Sequence, residues 1–155
     1  MLEKLTLHNF KSTDDLKLAL GPLTVLTGLN GSGKSSVLQS IALLKQSLDA
    51  DSSGRRMALR GPWVHLGRSE DVLFDGAKTE SLALALHFED KVFQWQCDAP
   101  SGRDTLDASL QGDISALTTV FDGFQFLQAD RLTPAIQYQQ AGTADRDCGS
   151  LGPHG

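Results

Sequence analysis

The sequence predicts an α/β fold built around a phosphate-binding loop, on three observations. Residues 23–27 (LTVLT) form an apolar segment that predicts a strand and runs directly into a glycine-rich turn. That turn has the spacing Gly28, four residues, then Gly33-Lys34-Ser35, which is the Walker A pattern. Residues 34–48 follow with apolar side chains every three or four positions, as in an amphipathic helix. Strand, loop and helix in this order predict a nucleoside triphosphate site.

The residue types of this loop suit an anionic phosphate. Glycine permits positive φ values and lets the backbone approach a phosphate closely. We expect Lys34 to contact the β- and γ-phosphates and the hydroxyl of Ser35 to bind Mg²⁺. The positive end of the helix dipole points at the same phosphates. The expected nucleotide-binding residues of the loop are Gly28, Asn30, Gly31, Ser32, Gly33, Lys34, Ser35 and Ser36.

The composition limits the class of protein. The 155 residues, 40% of them hydrophobic, suit one domain with a core. Fourteen basic and 19 acidic residues give a net charge of −5, which argues against a strongly basic nucleic-acid surface in this part of the chain. No apolar run reaches membrane-span length and no signal peptide precedes the first strand, so we expect a cytoplasmic protein. The two cysteines, Cys97 and Cys148, lack metal-ligand spacing, and the histidines do not cluster.

The chain begins with two short strands. Residues 2–8 alternate apolar and polar side chains, and so do residues 16–20. Short turns join these segments to each other and to the strand before the phosphate loop. Such short connections predict an antiparallel start to the sheet, unlike a simple doubly wound nucleotide fold.

The region after the helix predicts mainly strands. Residues 49–60 are polar and predict a loop, and Trp63 to Gly67 predicts a short strand or turn before a helix start at Ser69. Residues 81–89 and 92–97 alternate strongly and predict a β-hairpin. Two further strands are predicted at residues 105–110 and 124–129.

These elements predict a two-layer arrangement. The strands at 2–8, 16–20 and 81–97 should form an antiparallel layer, beside a mixed sheet that contains 23–27 and 124–129. The helix at 34–48 should pack on that sheet through one apolar face, formed by Val37, Leu38, Ile41 and Leu44.

Other classes of phosphate-loop protein fit less well. The Asn-Lys-x-Asp motif of a Ras-type GTPase is absent, because neither Asn9 nor Asn30 is followed by lysine. A small-molecule kinase remains an alternative in which Arg55, Arg56 and Arg60 would clamp phosphates from a lid, although the antiparallel strands count against it. Asp75 and Asp130 each follow an apolar run as a second-motif magnesium ligand would, but no acidic residue follows either one. Both are better interpreted as strand ends.

Several stretches resemble a known family. LEKLTLHNFKS, followed by LTVLTGLNGSGKSSVLQSI, resembles the N-terminal half of an ABC-type ATPase head of the SMC, RecF and OLD group. WVHLGRSEDVLFDG and FQFLQADRLTPA are similar to bacterial AAA-family ATPases of anti-phage defence, such as the Septu-type PtuA and retron-associated ATPases. The resemblance covers most of residues 1–135. It implies an N-terminal lobe at residues 1–138 and a polar, glycine-containing tail at 139–155 that leads toward a C-terminal half.

The resemblance also implies an activity and partners. It implies a hydrolase that binds ATP and Mg²⁺ through the phosphate loop, with Lys11 near the base or the α-phosphate. It further implies a homodimer or higher oligomer formed through the ATPase head, a nuclease partner, DNA or RNA contacted by the full-length protein, and no membrane. Arg131 matches a recurring family position without an assigned role.

The sequence departs from this family in one important respect. No LSGG-like signature, no apolar run ending in Asp-Glu and no switch histidine are present, so no catalytic residue is assigned. The expected function is the ATP-binding module of a protein in DNA maintenance or antiviral defence, which couples ATP-driven dimerisation to a nucleic-acid-directed effector. The alternatives are a small-molecule P-loop kinase and a nucleotide-binding interaction module that does not hydrolyse ATP.

Overall fold

A computed structural model describes residues 1–127 and 150–151, and its largest element is a six-stranded antiparallel sheet. The strands lie in the spatial order β2-β1-β4-β5-β6-β3, and every neighbouring pair is antiparallel. Their bounds are β1 Leu2–Phe10, β2 Thr13–Ala19, β3 Arg56–Ala58, β4 Ser81–Phe88, β5 Lys91–Asp98 and β6 Thr105–Gln111.

Helices and a short strand pair complete the described chain. The helices are α1 Lys34–Ala50, α2 Ser69–Val72 and α3 Ile114–Val120. β7 Phe126–Leu127 pairs in parallel with β8 Ser150–Leu151, apart from the large sheet. Within the described residues, no helix is long and apolar enough to cross a membrane.

Alternating side chains divide the sheet into a buried and an exposed face. In β5, Phe93, Trp95 and Cys97 are buried, whereas the residues between them are exposed. This alternation follows from the two-residue period of a strand. The buried face contributes to one hydrophobic core together with α1, which supplies Leu43, Leu44 and other apolar residues. α1 and the buried face of the sheet therefore share one hydrophobic core.

α1 includes the predicted residues, but the buried side of the helix differs from the predicted one. Val37 and Leu44 are buried as expected and Ile41 is partly buried, whereas Leu38 is 51% exposed, so its predicted burial is wrong. The buried side includes three serines, Ser36, Ser40 and Ser47. Ser40 and Ser47 can be buried because each hydroxyl donates to a helix carbonyl, at 2.7 Å in both cases.

The strand predicted at residues 23–27 is also wrong. This segment forms no strand pairing with any other part of residues 1–127 or 150–151. Leu23 and Val25 are 84% and 71% exposed, and Leu26 is the residue of this segment that packs against the core. An apolar sequence forms a strand only where a neighbouring strand can accept its backbone hydrogen bonds. The predicted mixed sheet containing 23–27 is therefore not observed in the described chain.

The remaining predictions have mixed outcomes. The antiparallel start, the hairpin β4–β5 and the strand β6 are confirmed, and a helix begins at Ser69 as predicted. The predicted loop at 49–60 contains the short strand β3. Helix α3 was not predicted. Of the strand predicted at 124–129, the structure contains Phe126–Leu127, while residues 128–129 and the boundary at 138 lie outside the described residues.

Candidate functional site

The glycine-rich loop folds around the side chain of its own lysine. The Nζ atom of Lys34 donates to the carbonyl oxygens of Gly28 at 2.8 Å and Leu29 at 2.6 Å, and lies 3.4 Å from the hydroxyl of Ser32. These partners are neutral, and no carboxylate in the described part of the chain forms an ion pair with Lys34. The ammonium charge is therefore available to an anion.

The N-terminus of α1 is open toward the loop. Gly33 precedes the helix in a left-handed conformation, with φ +85°, and no side chain caps the first turn. The first N–H groups of a helix lack partners within the helix, and the helix dipole makes this end positive. No acidic residue lies in the first turn to cancel that charge. The arrangement can bind an anionic phosphate.

Loop and helix form one wall of a cleft of about 460 Å³. Its lining residues come from three segments of the chain: Lys11, Ser12, Asn30, Gly31, Ser32, Gly33, Lys34, Ser35, Ser36, Asp71, Leu73 and Asp75. Ser35 is exposed in the first helical turn and lines the cleft.

The opposite wall is formed where the end of β1 meets the segment after α2. The backbone N–H of Lys11 donates to the carbonyl of Val72 at 2.8 Å, and that of Phe74 donates to the carbonyl of Asn9 at 3.1 Å. Phe10 and Leu73 form an antiparallel bridge between these hydrogen bonds. This pairing brings Lys11 to the same cleft as the phosphate loop.

Two carboxylates line the cleft in addition to the lysines. The Oδ2 atom of Asp71 accepts a hydrogen bond from the backbone N–H of Arg68 at 2.8 Å, so this side chain also holds the start of α2. Asp75 is exposed at the rim. Lys11 and Lys34 balance these two charges, so the cleft lining is mixed in sign rather than uniformly basic.

Most of the predicted site residues come together in this cleft. Asn30 through Ser36 and Lys11 all line it. Gly28 is not among the lining residues, and its carbonyl instead holds Lys34. Arg55, Arg56 and Arg60, which a kinase lid would require, are not part of the lining. Asp130 and Arg131 lie outside the described residues.

Four lining residues were not predicted from the sequence: Ser12, Asp71, Leu73 and Asp75. Asp75 was considered as a magnesium ligand and interpreted as a strand end. The structure places it in the cleft with Ser35. The pairing of Phe10 with Leu73 produces this placement. These two residues are far apart in the sequence, so no local sequence pattern indicated it.

Comparison with known proteins identifies a family and several similar proteins. A family model described as an AAA ATPase domain matches residues 1–132. The chain is 46% identical over 44 residues to an OLD nuclease of Thermus scotoductus, across 28% of this chain and 8% of that protein. It is 37% identical over 68 residues to the DNA replication and repair protein RecF of Magnetococcus marinus, across 42% of this chain and 18% of that protein. The matched regions thus span less than a fifth of either relative.

A similar fold occurs among solved structures. One solved structure with a similar fold comes from work on the ATP-driven dimerization and DNA stimulated activation of SMC ATPases. It matches with a TM-score of 0.53 at 24% identity, over 78% of this chain and 77% of that chain. At this identity the likeness concerns the fold alone. The predicted fold class, the N-terminal half of an α/β P-loop NTPase with an antiparallel layer, is confirmed.

Proposed function

Because the chain belongs to the AAA ATPase domain family, whose model matches residues 1–132, we propose that its cleft binds ATP together with Mg²⁺. The observation that carries this proposal is the position of Lys34. Its ammonium is held by the carbonyls of Gly28 and Leu29, beside the open N-terminus of α1. Backbone N–H groups and one lysine charge thus converge at the wall of a single cleft.

Binding of a triphosphate would exchange neutral partners of Lys34 for a charged one. A phosphate oxygen carries negative charge, so it adds a Coulomb attraction to the ammonium that a neutral carbonyl lacks. The ammonium would therefore gain by moving from the loop carbonyls to phosphate oxygens. In this proposal Asn30 through Gly33 supply backbone N–H groups, and Lys11 approaches the nucleotide from the opposite wall.

The donor set also fits magnesium. Mg²⁺ in nucleotide sites is held by one or two protein oxygens, phosphate oxygens and water, and does not need an all-protein cage. The hydroxyl of Ser35 in the cleft is such an oxygen. When bound, Mg²⁺ neutralises negative charge on the β- and γ-phosphates. The described residues contain no cluster of three or more His, Cys, Asp or Glu that would hold a metal on its own, which agrees with a metal carried by the nucleotide.

Hydrolysis needs further groups. An attacking water must be oriented, and more positive charge must face the γ-phosphate in the transition state. We propose that two ATPase heads dimerise around ATP to complete the site, and that residues 1–138 form the N-terminal lobe of one head. The solved structure with a similar fold comes from work on ATP-driven dimerization of SMC ATPases, which supports this proposal. The effector is proposed to act on nucleic acid, in DNA maintenance or in anti-phage defence as in the Septu-type systems, since the curated relatives are an OLD nuclease and RecF.

The kinase alternative receives less support. Its lid arginines are absent from the cleft lining, and the large sheet is antiparallel throughout. The interaction module without hydrolysis differs from our proposal only in turnover. Phosphate release by the full-length protein at several concentrations separates the two: specific activity that rises with concentration supports assembly of the site by dimerisation. Turnover at background across the series would favour the interaction module.

Binding itself is tested by titrating Mg·ATP into wild type and Lys34→Ala. We expect at least about tenfold weaker binding in the variant, which corresponds to about 1.4 kcal/mol. Lys17→Ala is the matched control, because Lys17 is an exposed lysine on the edge strand β2. Equal affinities of wild type and Lys34→Ala would refute the proposed site.

A further inference from the structure

The turn that carries Lys11 into the cleft has an unusual backbone. Asn9 and Lys11 both have φ of +51°, and they are the two non-glycine residues with positive φ in the described chain. A left-handed conformation is tolerated by asparagine but is uncommon for lysine. Such strained residues persist only where the surrounding structure fixes them. Contacts with the surrounding structure must therefore stabilise this turn.

The side chain of Asn9 provides such contacts. It is only 4% exposed, and its Nδ2 atom donates to the carbonyl oxygen of Ser81 at 3.1 Å, with the hydroxyl of Thr79 at 3.5 Å. Ser81 begins β4 and Thr79 shortly precedes it, on the side of β1 away from β2. The amide thus anchors the end of β1 to the centre of the large sheet.

The backbone of the same turn is fixed from another direction. The carbonyl of Asn9 accepts from Phe74 at 3.1 Å, and the N–H of Lys11 donates to Val72 at 2.8 Å. Asn9 is therefore held at its side chain by β4 and at its backbone by the segment after α2. Lys11, two residues further on, is partly exposed in the cleft. No carboxylate of the described chain forms an ion pair with it.

We propose that Asn9 is a positioning residue of the nucleotide cleft, whose buried amide locks the left-handed turn that aims Lys11 at the bound nucleotide. This inference rests on the proposed function, because it assumes that the cleft binds ATP. Asn9 is buried behind the turn and does not touch the ligand itself. Its effect on binding passes through Lys11.

A double-mutant cycle tests this dependence. ATP affinity is measured for the full-length protein as wild type, Asn9→Gly, Lys11→Ala and the double variant. Glycine keeps the left-handed φ without strain and removes only the amide. We expect Asn9→Gly to weaken ATP binding about three- to tenfold in the wild-type background and to have no further effect when Lys11 is already alanine, because coupled residues are not additive.

The cycle distinguishes positioning from a general effect on folding. A fold defect alone would weaken binding equally in both backgrounds, and that outcome would overturn the inference, as would unchanged affinity of Asn9→Gly or of Lys11→Ala. Circular dichroism confirms that each variant is folded at the temperature of the titration. If Asn9→Gly does not fold, Asn9→Ser, which keeps a shorter donor, replaces it in the same cycle with the same criteria. If wild type and Lys34→Ala bind ATP equally, the proposed function fails; if they differ but the cycle shows no coupling, only this inference fails.

Discussion

The hydroxyl of Ser12 lies 3.2 Å from the hydroxyl of Ser36 and connects the turn after β1 to the first turn of α1. This contact brings Ser12 against the backbone of Gly33. A Cβ atom built on Gly33 would be 2.8 Å from the Oγ atom of Ser12. The two walls of the cleft therefore meet at a point where only glycine fits without displacement of a neighbour.

Gly33→Ala should weaken ATP binding by at least about tenfold. The new Cβ would meet Ser12, and alanine is strained at φ +85°. Gly102→Ala is a matched control, because Gly102 has φ +83° but no atom within 4 Å of its added Cβ. The control should lose about 1 kcal/mol of stability and bind ATP as wild type does. Isothermal titration and urea unfolding of both variants measure the two effects, and equal losses of ATP affinity would contradict this account.

Val25→Ala should leave the free energy of unfolding nearly unchanged, within about 0.5 kcal/mol. The side chain is 71% exposed, and its segment is not paired in the described chain. Val37→Ala makes the same change at a position that is 7% exposed and should cost about 2 kcal/mol. Urea denaturation compares the two. A loss at Val25 as large as that at Val37 would show that the segment is packed in solution.

Gln46→Met should destabilise the fold by about 2 kcal/mol. Gln46 is 2% exposed; its Oε1 accepts from the backbone N–H of Val64 at 3.0 Å, and its Nε2 donates to the carbonyl of Ala58. Methionine has a similar length but leaves both buried groups without this partner. Gln39→Met, at a half-exposed position of the same helix, is the control. Identical unfolding midpoints for the two variants would contradict the prediction.

Cys97 should resist alkylation in the folded protein. Burial, together with the neighbouring charge of Asp98, raises the pKa of its thiol to about 12, and the thiolate is the reactive form. With Cys148 replaced by serine, iodoacetamide at pH 8 should label Cys97 at least about a hundredfold more slowly than in urea. Mass spectrometry follows the reaction, and comparable rates in the two conditions would show that the thiol is accessible.

The thiol of Cys97 also makes the free energy of unfolding decrease at alkaline pH. Its pKa is about 9 when unfolded and about 12 when folded. The unfolded chain therefore loses this proton first as the pH rises. The contribution of Cys97 to stability is complete below about pH 9 and decreases between about pH 9 and 12. Cys97→Ala should remove this component from the alkaline unfolding curve.

Local patterns predicted the elements whose partners are near in the sequence. The alternation in β4 and β5, with a tight turn between them, identified the hairpin, and the glycine spacing identified the loop before Lys34. The burial of α1 was predicted less well, because Ser40 and Ser47 count as polar in an apolar period although their hydroxyls bond within the helix. The strand predicted at residues 23–27 was wrong for a related reason. The strand propensity of a segment does not tell whether a neighbouring strand is present to pair with it.

The second wall of the cleft was beyond local patterns altogether. It depends on the bridge between Phe10 and Leu73, which joins residues separated by β2, the loop, α1, β3 and α2. Asn9 also gave no signal, because a buried amide that holds a left-handed turn looks like any polar residue at the end of a strand. The cleft-lining residues were therefore predicted where the motif is contiguous. In the second wall, Lys11 was expected from the family resemblance, whereas Ser12, Asp71, Leu73 and Asp75 were missed.

Residues 23–27, which pair with no strand in the described part of the chain, are also where we expect copies of this chain to associate non-specifically. The edge strand β2 carries Asp14, Asp15 and Lys17, and charges of this kind discourage edge-to-edge aggregation. Residues 23–27, LTVLT, carry no charge and expose Leu23 and Val25. An uncharged, β-prone segment of this type is a template for intermolecular strand pairing. We therefore expect loss of protein to inclusion bodies during expression to begin at this segment. Val25→Lys should reduce that loss, because it adds a charge that opposes intermolecular pairing, as the charges of β2 already do.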